Sequence, residues 1–320
     1  MKLENKVYNT PFTQKHLLTL LDYSTEEIER ILTLALELKD KQKRGIPHRL
    51  LEGQTLGMIF TKSSTRTRVS FETGIYQLGG QGLFLSSADI QLGRGETIAD
   101  TARVLSRMID GIMIRTFKQS DVEGLAEYGS IPVINGLTDD FHPCQALADM
   151  QTVYEHKGGF AGKKMCFIGD GNNVAHSLFI ICAKLGMDMS IGCPQGFEPN
   201  ADVMARVRDA AKKTGAKITV TNDKIEAVRD ADVIYTDVWA SMGQESEFEE
   251  KSKHFLPYQV NAELAAHAKP DYIFMHCLPA HRGEEVTEEV LESAHSVIFD
   301  EAENRLHAQK AVMALLMGGK

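Results

Sequence analysis

Leu56-Gly57-Met58-Ile59-Phe60-Thr61-Lys62-Ser63-Ser64-Thr65-Arg66-Thr67-Arg68-Val69-Ser70-Phe71-Glu72 passes from an apolar run, through hydroxyls and guanidiniums, into a helical pattern. The run Leu56–Phe60 reads as a strand buried on both faces, the kind found in parallel sheets. Phe71, Ile75 and Leu78 share one face of a following helix, and Gly79-Gly80 closes it. The polar cluster therefore falls at a strand-to-helix turn. The first N–H groups of a helix lack intrahelical partners, and the helix dipole makes that end positive. Hydroxyls add donors there, and Arg66 and Arg68 add charge in planar forks. Such a turn is suited to holding a phosphate. A capped helix with two solvated arginines is the plainer alternative for this stretch taken alone.

Outward from this turn the strand–helix rhythm repeats. Ser24-Thr25-Glu26-Glu27 reads as a capping box, followed by a stripe of Ile28, Ile31, Leu32, Ala35 and Leu38. Short strands are expected near Leu83–Leu85, at Gly111–Ile114 and at Ile131–Asn135, with a helix over Glu96–Ile109. Pro143 suits the first turn of a helix reaching about Lys157, and Gly158-Gly159 marks a junction. Beyond it, strands at Lys164–Ile168, Met189–Gly192, Lys217–Thr221, Val233–Thr236, Tyr272–Met275 and Val297–Phe299 alternate with helical stretches. A final helix is expected from Glu301. The pattern predicts an α/β protein of two doubly wound parallel-sheet domains joined by interdomain helices. Residues 1–150 form the first and residues 151–300 the second, followed by a C-terminal helix of about 301–320 that the family resemblance given below returns to the first.

The 320 residues suffice for two cores, and the apolar fraction of 43% is ordinary for a globular chain. A net charge of −9 argues against nucleic acid as a partner. No apolar run approaches membrane-spanning length, and Met1–Thr10 lacks the apolar core of a signal peptide, so a cytoplasmic protein is expected. Five cysteines without C-x-x-C spacing fit a reducing compartment and suggest no zinc site.

Several polar residues stand where strands end, which is where open α/β sheets bind ligands. Arg115 follows Gly111–Ile114 and could address the same phosphate as the first turn. His142 and Gln145 lie three apart at the start of the Pro143 helix, and both can hydrogen-bond a carbonyl or an amide. Asp237 follows Val233–Thr236 and could pair with an ammonium group, with Ser241 and nearby backbone suited to a carboxylate. Cys277 follows Tyr272–Met275 just before a proline turn. Gly169-Asp170-Gly171 suggests a nucleotide turn, but G-x-G-x-x-G would need glycine where Val174 stands. The polar, glycine-rich Ser86–Gly95 reads as a loop.

Five ordered stretches, Ser-Thr-Arg-Thr-Arg, His-Pro-x-Gln, Asp-x-x-x-Ser-Met-Gly, His-Cys-Leu-Pro and Glu-Asn-Arg, resemble the signatures of the aspartate/ornithine carbamoyltransferase superfamily, in its ornithine branch. The likeness covers nearly the whole chain. It implies transfer of a carbamoyl group from carbamoyl phosphate to the neutral δ-amine of L-ornithine, with no metal, no cofactor and no covalent intermediate. It also implies a homotrimer, or a multiple of trimers, in which the Ser86–Gly95 loop reaches a neighbour's site. By the same resemblance Ser64, Thr65, Arg66, Thr67, Gln91, Arg115, His142, Gln145, Cys277, Leu278 and Arg305 contact carbamoyl phosphate. Arg115, His142 and Cys277 are the catalytic members, and Asn173, Asp237, Ser241 and Met242 hold ornithine. A carbamoyltransferase for a plain diamine such as putrescine, an NAD-binding reductase and a non-catalytic binding subunit remain as alternatives.

Overall fold

A computed structural model describes residues 12–92, 95–239 and 248–318. The chain divides into two compact units. One runs to Gln151 and resumes at Glu303, and the other comprises Thr152–Ala302.

In chain order the elements are α1 (Thr25–Lys43), β1 (Thr55–Phe60), α2 (Thr65–Gln77), β2 (Gln81–Ser86), α3 (Ile98–Leu105), β3 (Gly111–Arg115), α4 (Gln119–Tyr128), β4 (Val133–Leu137) and α5 (Pro143–Lys157). There follow β5 (Lys164–Ile168), α6 (Asn173–Leu185), β6 (Asp188–Gly192), α7 (Ala201–Thr214), β7 (Ile218–Thr221), α8 (Lys224–Val228) and β8 (Val233–Thr236). The last are α9 (Phe248–Phe255), α10 (Ala262–Ala265), β9 (Ile273–His276), α11 (Glu288–Leu291) and α12 (Ile298–Met317).

The first unit holds a parallel sheet in the order β2-β1-β3-β4. Its core sets Ile59, Ile112, Ile114 and Val133 of the strands against Ala102, Val122 and Leu125 of α3 and α4. Burial on both faces explains why β1 and β3 read as unbroken apolar runs. α1 opens with the expected capping box: Ser24 accepts from Glu27 N, and the Glu27 carboxylate accepts from Ser24 N. The second unit holds a parallel sheet in the order β7-β6-β5-β8-β9. Cys166, Ile168, Ile234 and Phe274 pack there against Val228, Leu264 and Val290. The doubly wound reading holds for both sheets.

In each sheet the chain leaves one strand in opposite directions, which opens a crevice at the strand ends. In the first sheet this point lies between β1 and β3; in the second it lies between β5 and β8.

Three local expectations change. The strand expected at Val297–Phe299 is absent, because Ile298 already opens α12. Only the stretch just before it adds to β9, with Val297 N donating to Phe274 O and Phe274 N to His295 O. The helix expected over Glu96–Ile109 begins after the Thr97 cap and ends at Leu105. Gly171 does not face an open nucleotide turn. A Cβ there would lie 2.3 Å from Pro199 N, so glycine is needed to admit the Glu198–Pro199 backbone. Among the described residues no helix is long and apolar enough to cross a membrane.

Candidate active site

The first unit gathers a cationic cradle at the β1/β3 crevice. Ser64 caps α2, its Oγ accepting from Thr67 N at 3.2 Å, and the same hydroxyl donates to Thr67 Oγ1 at 3.1 Å. This places two hydroxyls at the positive end of a helix with no acidic residue in its first turn. Arg115 ends β3 beside Phe60 of β1 and is buried. Arg305 enters from α12, also buried, and donates from Nη1 to Gln145 Oε1 at 2.6 Å and from Nη2 to Thr67 Oγ1 at 3.3 Å. Gln145 in turn donates to Asp149 Oδ1 at 2.8 Å, one turn further along α5. One network thus joins Ser64, Thr67, Gln145, Asp149 and Arg305.

His142, buried at the head of α5, has its pKa held well below the usual imidazole value. Burial is the larger cause, and the nearby positive charges of Arg305, Arg115 and Arg66 add to it. The ring is therefore neutral near pH 7, a hydrogen-bonding group and not an acid.

Arg66 is partly exposed and Thr65 exposed at the mouth of the turn. Arg68 departs from the cluster: its guanidinium lies 3.7 Å from the centroid of the Phe84 ring and its Nε 3.3 Å from Glu72 Oε2. Gln91 is exposed on the loop after β2 and joins no hydrogen bond of the network among the described residues.

The second unit gathers a different cluster at the β5/β8 crevice. Asp237, just beyond β8, is buried. Its Oδ2 accepts from Asn172 Nδ2 at 2.9 Å, and its Oδ1 accepts from Val238 N at 2.8 Å and from the Cys277 thiol at 3.0 Å. Asn172 also caps α6 through Val174 N and Ala175 N, so one side chain ties the helix start to the carboxylate. Asn173, the next residue, is buried and turns its Oδ1 to Val174 N. Asp170, on the same turn, meets Lys251 Nζ at 3.1 Å, and burial raises its pKa. Ser241 and Met242 lie outside the described residues.

Cys277 follows β9. The other four cysteines are buried, whereas Cys277 is partly exposed. Burial pushes the Cys144, Cys166 and Cys193 thiols up to about 12, which leaves them inert. At Leu278 the backbone turns through φ +57°, and its N–H donates to His276 Nδ1 at 2.9 Å. His276 Nε2 then donates to the buried Glu285 carboxylate at 3.1 Å. The sequence reading overlooked His276 and Glu285. The Glu284-Glu285 pair, five and six residues past Pro279, was the available sign, and it resembles any solvated charge run.

Donor atoms of Asp237, His276 and Cys277 lie within 4.8 Å of one another, as do those of His281, Glu284 and Glu285. Both imidazole nitrogens of His276 already serve Leu278 N and Glu285, so a cation in the first set would have to break that arrangement.

Residues 15–155 match the family described as aspartate/ornithine carbamoyltransferase, carbamoyl-P binding domain. Residues 161–316 match its Asp/Orn binding domain. The chain belongs to the aspartate/ornithine carbamoyltransferase family. Within it, the chain is 62% identical to the ornithine carbamoyltransferase of Thermococcus kodakarensis, over 95% of this chain and 97% of that one. The solved ornithine carbamoyltransferase of Pyrococcus furiosus superposes with a TM-score of 0.93 at 59% identity, covering 96% of this chain and 98% of its own. The anabolic ornithine carbamoyltransferase of Campylobacter jejuni gives a TM-score of 0.89 at 45% identity, covering 95% and 99%.

Proposed function

We propose that this chain catalyses carbamoyl transfer from carbamoyl phosphate to L-ornithine, giving L-citrulline and phosphate. The observation that carries the reading is the buried Arg305 guanidinium tied to Thr67 and Gln145 at the capped start of α2, with Arg115 and a neutral His142 buried in the same unit. A dianionic phosphate matches that charge, and a neutral imidazole matches a carbonyl oxygen.

The first unit takes carbamoyl phosphate, with Ser64, Thr65, Arg66, Thr67 and Arg305 around the phosphate. Arg115, His142 and Thr67 polarise the carbonyl and stabilise negative charge as it develops on oxygen. Gln145 and the Leu278 carbonyl orient the carbamoyl amide, and Gln91 and Cys277 complete the contacts. The second unit takes ornithine. Asp237 pairs with the α-ammonium, while Asn173, Ser241 and the Met242 backbone bind the α-carboxylate. The neutral δ-nitrogen attacks the carbamoyl carbon. The carbon–oxygen bond to phosphate breaks, and the phosphate leaves with the amine proton. Orientation and preorganised charge supply most of the acceleration. The chain's own donors suffice for this sequence, so the proposal includes no metal and no organic cofactor.

The protein is further proposed to act in the cytoplasm as a homotrimer, with the loop around Gln91 serving a neighbouring subunit. Refolding inactive Gln91 and Arg115 variants together should restore part of the activity, and mixed trimers without recovery would speak for self-contained sites. The reading as a whole is tested by citrulline formation with ornithine, putrescine and aspartate as competing acceptors. Citrulline must be the dominant product.

A further inference from the structure

Arg305 is a long side chain, and a guanidinium is useful to a phosphate only if its plane is held. Two of its contacts, to Gln145 and Thr67, come from groups that themselves face the proposed phosphate site. A third comes from behind. Gln309 lies one turn further along α12 and is fully buried. With its amide oriented as its neighbours require, its oxygen accepts from Arg305 Nη2 at 3.0 Å and from Nε at 3.2 Å. Its nitrogen donates to Ser70 Oγ at 2.5 Å. The Ser70 hydroxyl donates to Arg66 O at 2.6 Å, so its lone pair is free for that amide.

This contact belongs to a longer seam between α2 and α12. A Cβ on Gly74 would lie 3.0 Å from Met313 Cε and 3.2 Å from Lys310 Cγ, so glycine lets the two helices approach. Lys310 Nζ then donates to Gln77 Oε1 at 2.9 Å and faces His48 Nε2 at 3.2 Å. α2 carries Arg66 and Thr67 and is capped by Ser64, whereas α12 carries Arg305. The seam holds the helix that starts at the phosphate turn in register with the helix that delivers the closing arginine.

Building on the proposed carbamoyl transfer, we propose that Gln309 is a positioning residue. Through its two hydrogen bonds to Arg305 and its anchor on Ser70, it fixes the guanidinium plane for the phosphate of carbamoyl phosphate. It touches no substrate. Removing it leaves Arg305 charged and still bonded to Gln145 and Thr67, but without the two bonds that hold Nε and Nη2 from the α12 side.

Gln309→Leu removes both interactions and keeps most of the volume. The expected result is a rise of about tenfold in KM for carbamoyl phosphate and in the inhibition constant of inorganic phosphate, the loss typical of a hydrogen bond to a charged group. KM for ornithine at saturating carbamoyl phosphate should change less than about twofold, because that end of the reaction uses other residues. A merely structural role would lower stability without this split. In an Arg305→Lys background the same change should have no further effect on phosphate inhibition, since the planar fork it holds is gone. If Gln309→Leu does not fold, Ser70→Ala, which loosens the anchor, should show the same selective loss in smaller measure. A folded Gln309→Leu enzyme with unchanged affinity for carbamoyl phosphate and phosphate overturns the inference and leaves carbamoyl transfer standing. Failure of the wild-type protein to use carbamoyl phosphate removes both.

Discussion

The two strand-end clusters use opposite electrostatics. The cradle of the first unit is built from guanidiniums, a helix start and a neutral imidazole, with the Asp149 carboxylate accepting from Gln145 rather than from a guanidinium. The cluster of the second unit is organised around one buried carboxylate, Asp237, which collects an amide, a thiol and a backbone N–H. A cradle of the first kind selects a dianion and cannot hold an ammonium. A cluster of the second kind does the reverse. The contrast matches the two proposed substrates by charge before any shape is considered. An acidic chain of net charge −9 can hold a phosphate only by such local concentration of arginine.

The largest expected effect tests the second cluster. Ornithine and putrescine share the attacking amine and differ at the far end. Losing two charge-assisted contacts of about 1.5–3 kcal/mol each predicts discrimination of about a hundredfold to several thousandfold in kcat/KM. Steady-state kinetics with both acceptors measures it, and equal use of the two would make the diamine enzyme the better assignment. Asp237→Asn should depress ornithine turnover far more than any residual putrescine turnover.

The first cluster is tested by Arg66→Ala. Removing one charge-assisted contact should weaken carbamoyl phosphate by about tenfold or more while leaving the fold intact, because Arg66 is partly exposed. Unchanged affinity, measured by initial rates at saturating ornithine, would remove Arg66 from the cradle.

A comparable effect separates the proton states of the two sides. The δ-amine resembles a lysine amine with a reference pKa of about 10.4, so roughly one molecule in 10³ to 10⁴ is neutral near pH 7. His142 is held neutral in the same range. With chemistry rate-limiting, kcat/KM for ornithine should therefore climb from about pH 6.5 to at least about pH 8, carried by the amine. A flat profile would contradict attack by the neutral amine.

The smallest effect concerns stability. His142 titrates well below its unfolded value, and His16, half-buried and accepting from Val133 N at 3.1 Å, is lowered to about 4. Below about pH 6.5 the unfolded chain binds protons that the folded chain refuses, so stability is lost as pH falls from there towards the folded values. Thermal unfolding from about pH 7 to about pH 4.5 should show this slope, and His16→Gln should reduce it. An unaltered slope would mean that His16 is not held neutral in the fold.

Much of this was legible locally. The strand β1, the helix that follows it, the α1 capping box and the start of α5 at Pro143 rest on neighbouring residues, and the structure has them where the sequence puts them. Two misreadings have different causes. Val297-Ile298-Phe299 is a three-residue apolar run, too short for periodicity to separate strand from helix, and the acidic Asp300 and Glu301 favour a helix start. Arg68 stands in the motif, but the turn of the helix carries it round to Phe84 and Glu72.

By itself the sequence determined which side chains stand at strand ends and helix starts, since period, cap and turn chemistry act over a few residues. Only the tertiary structure decided which of those ends face one crevice, because strand order is a non-local choice. It also decided that Arg305 meets Thr67 across 238 residues of chain and Gln145 across 160, and that Gln309 stands behind that guanidinium. No local pattern encodes those meetings. The meetings of α12 with α2 also need Gly74, where a side chain would press on Met313 and Lys310.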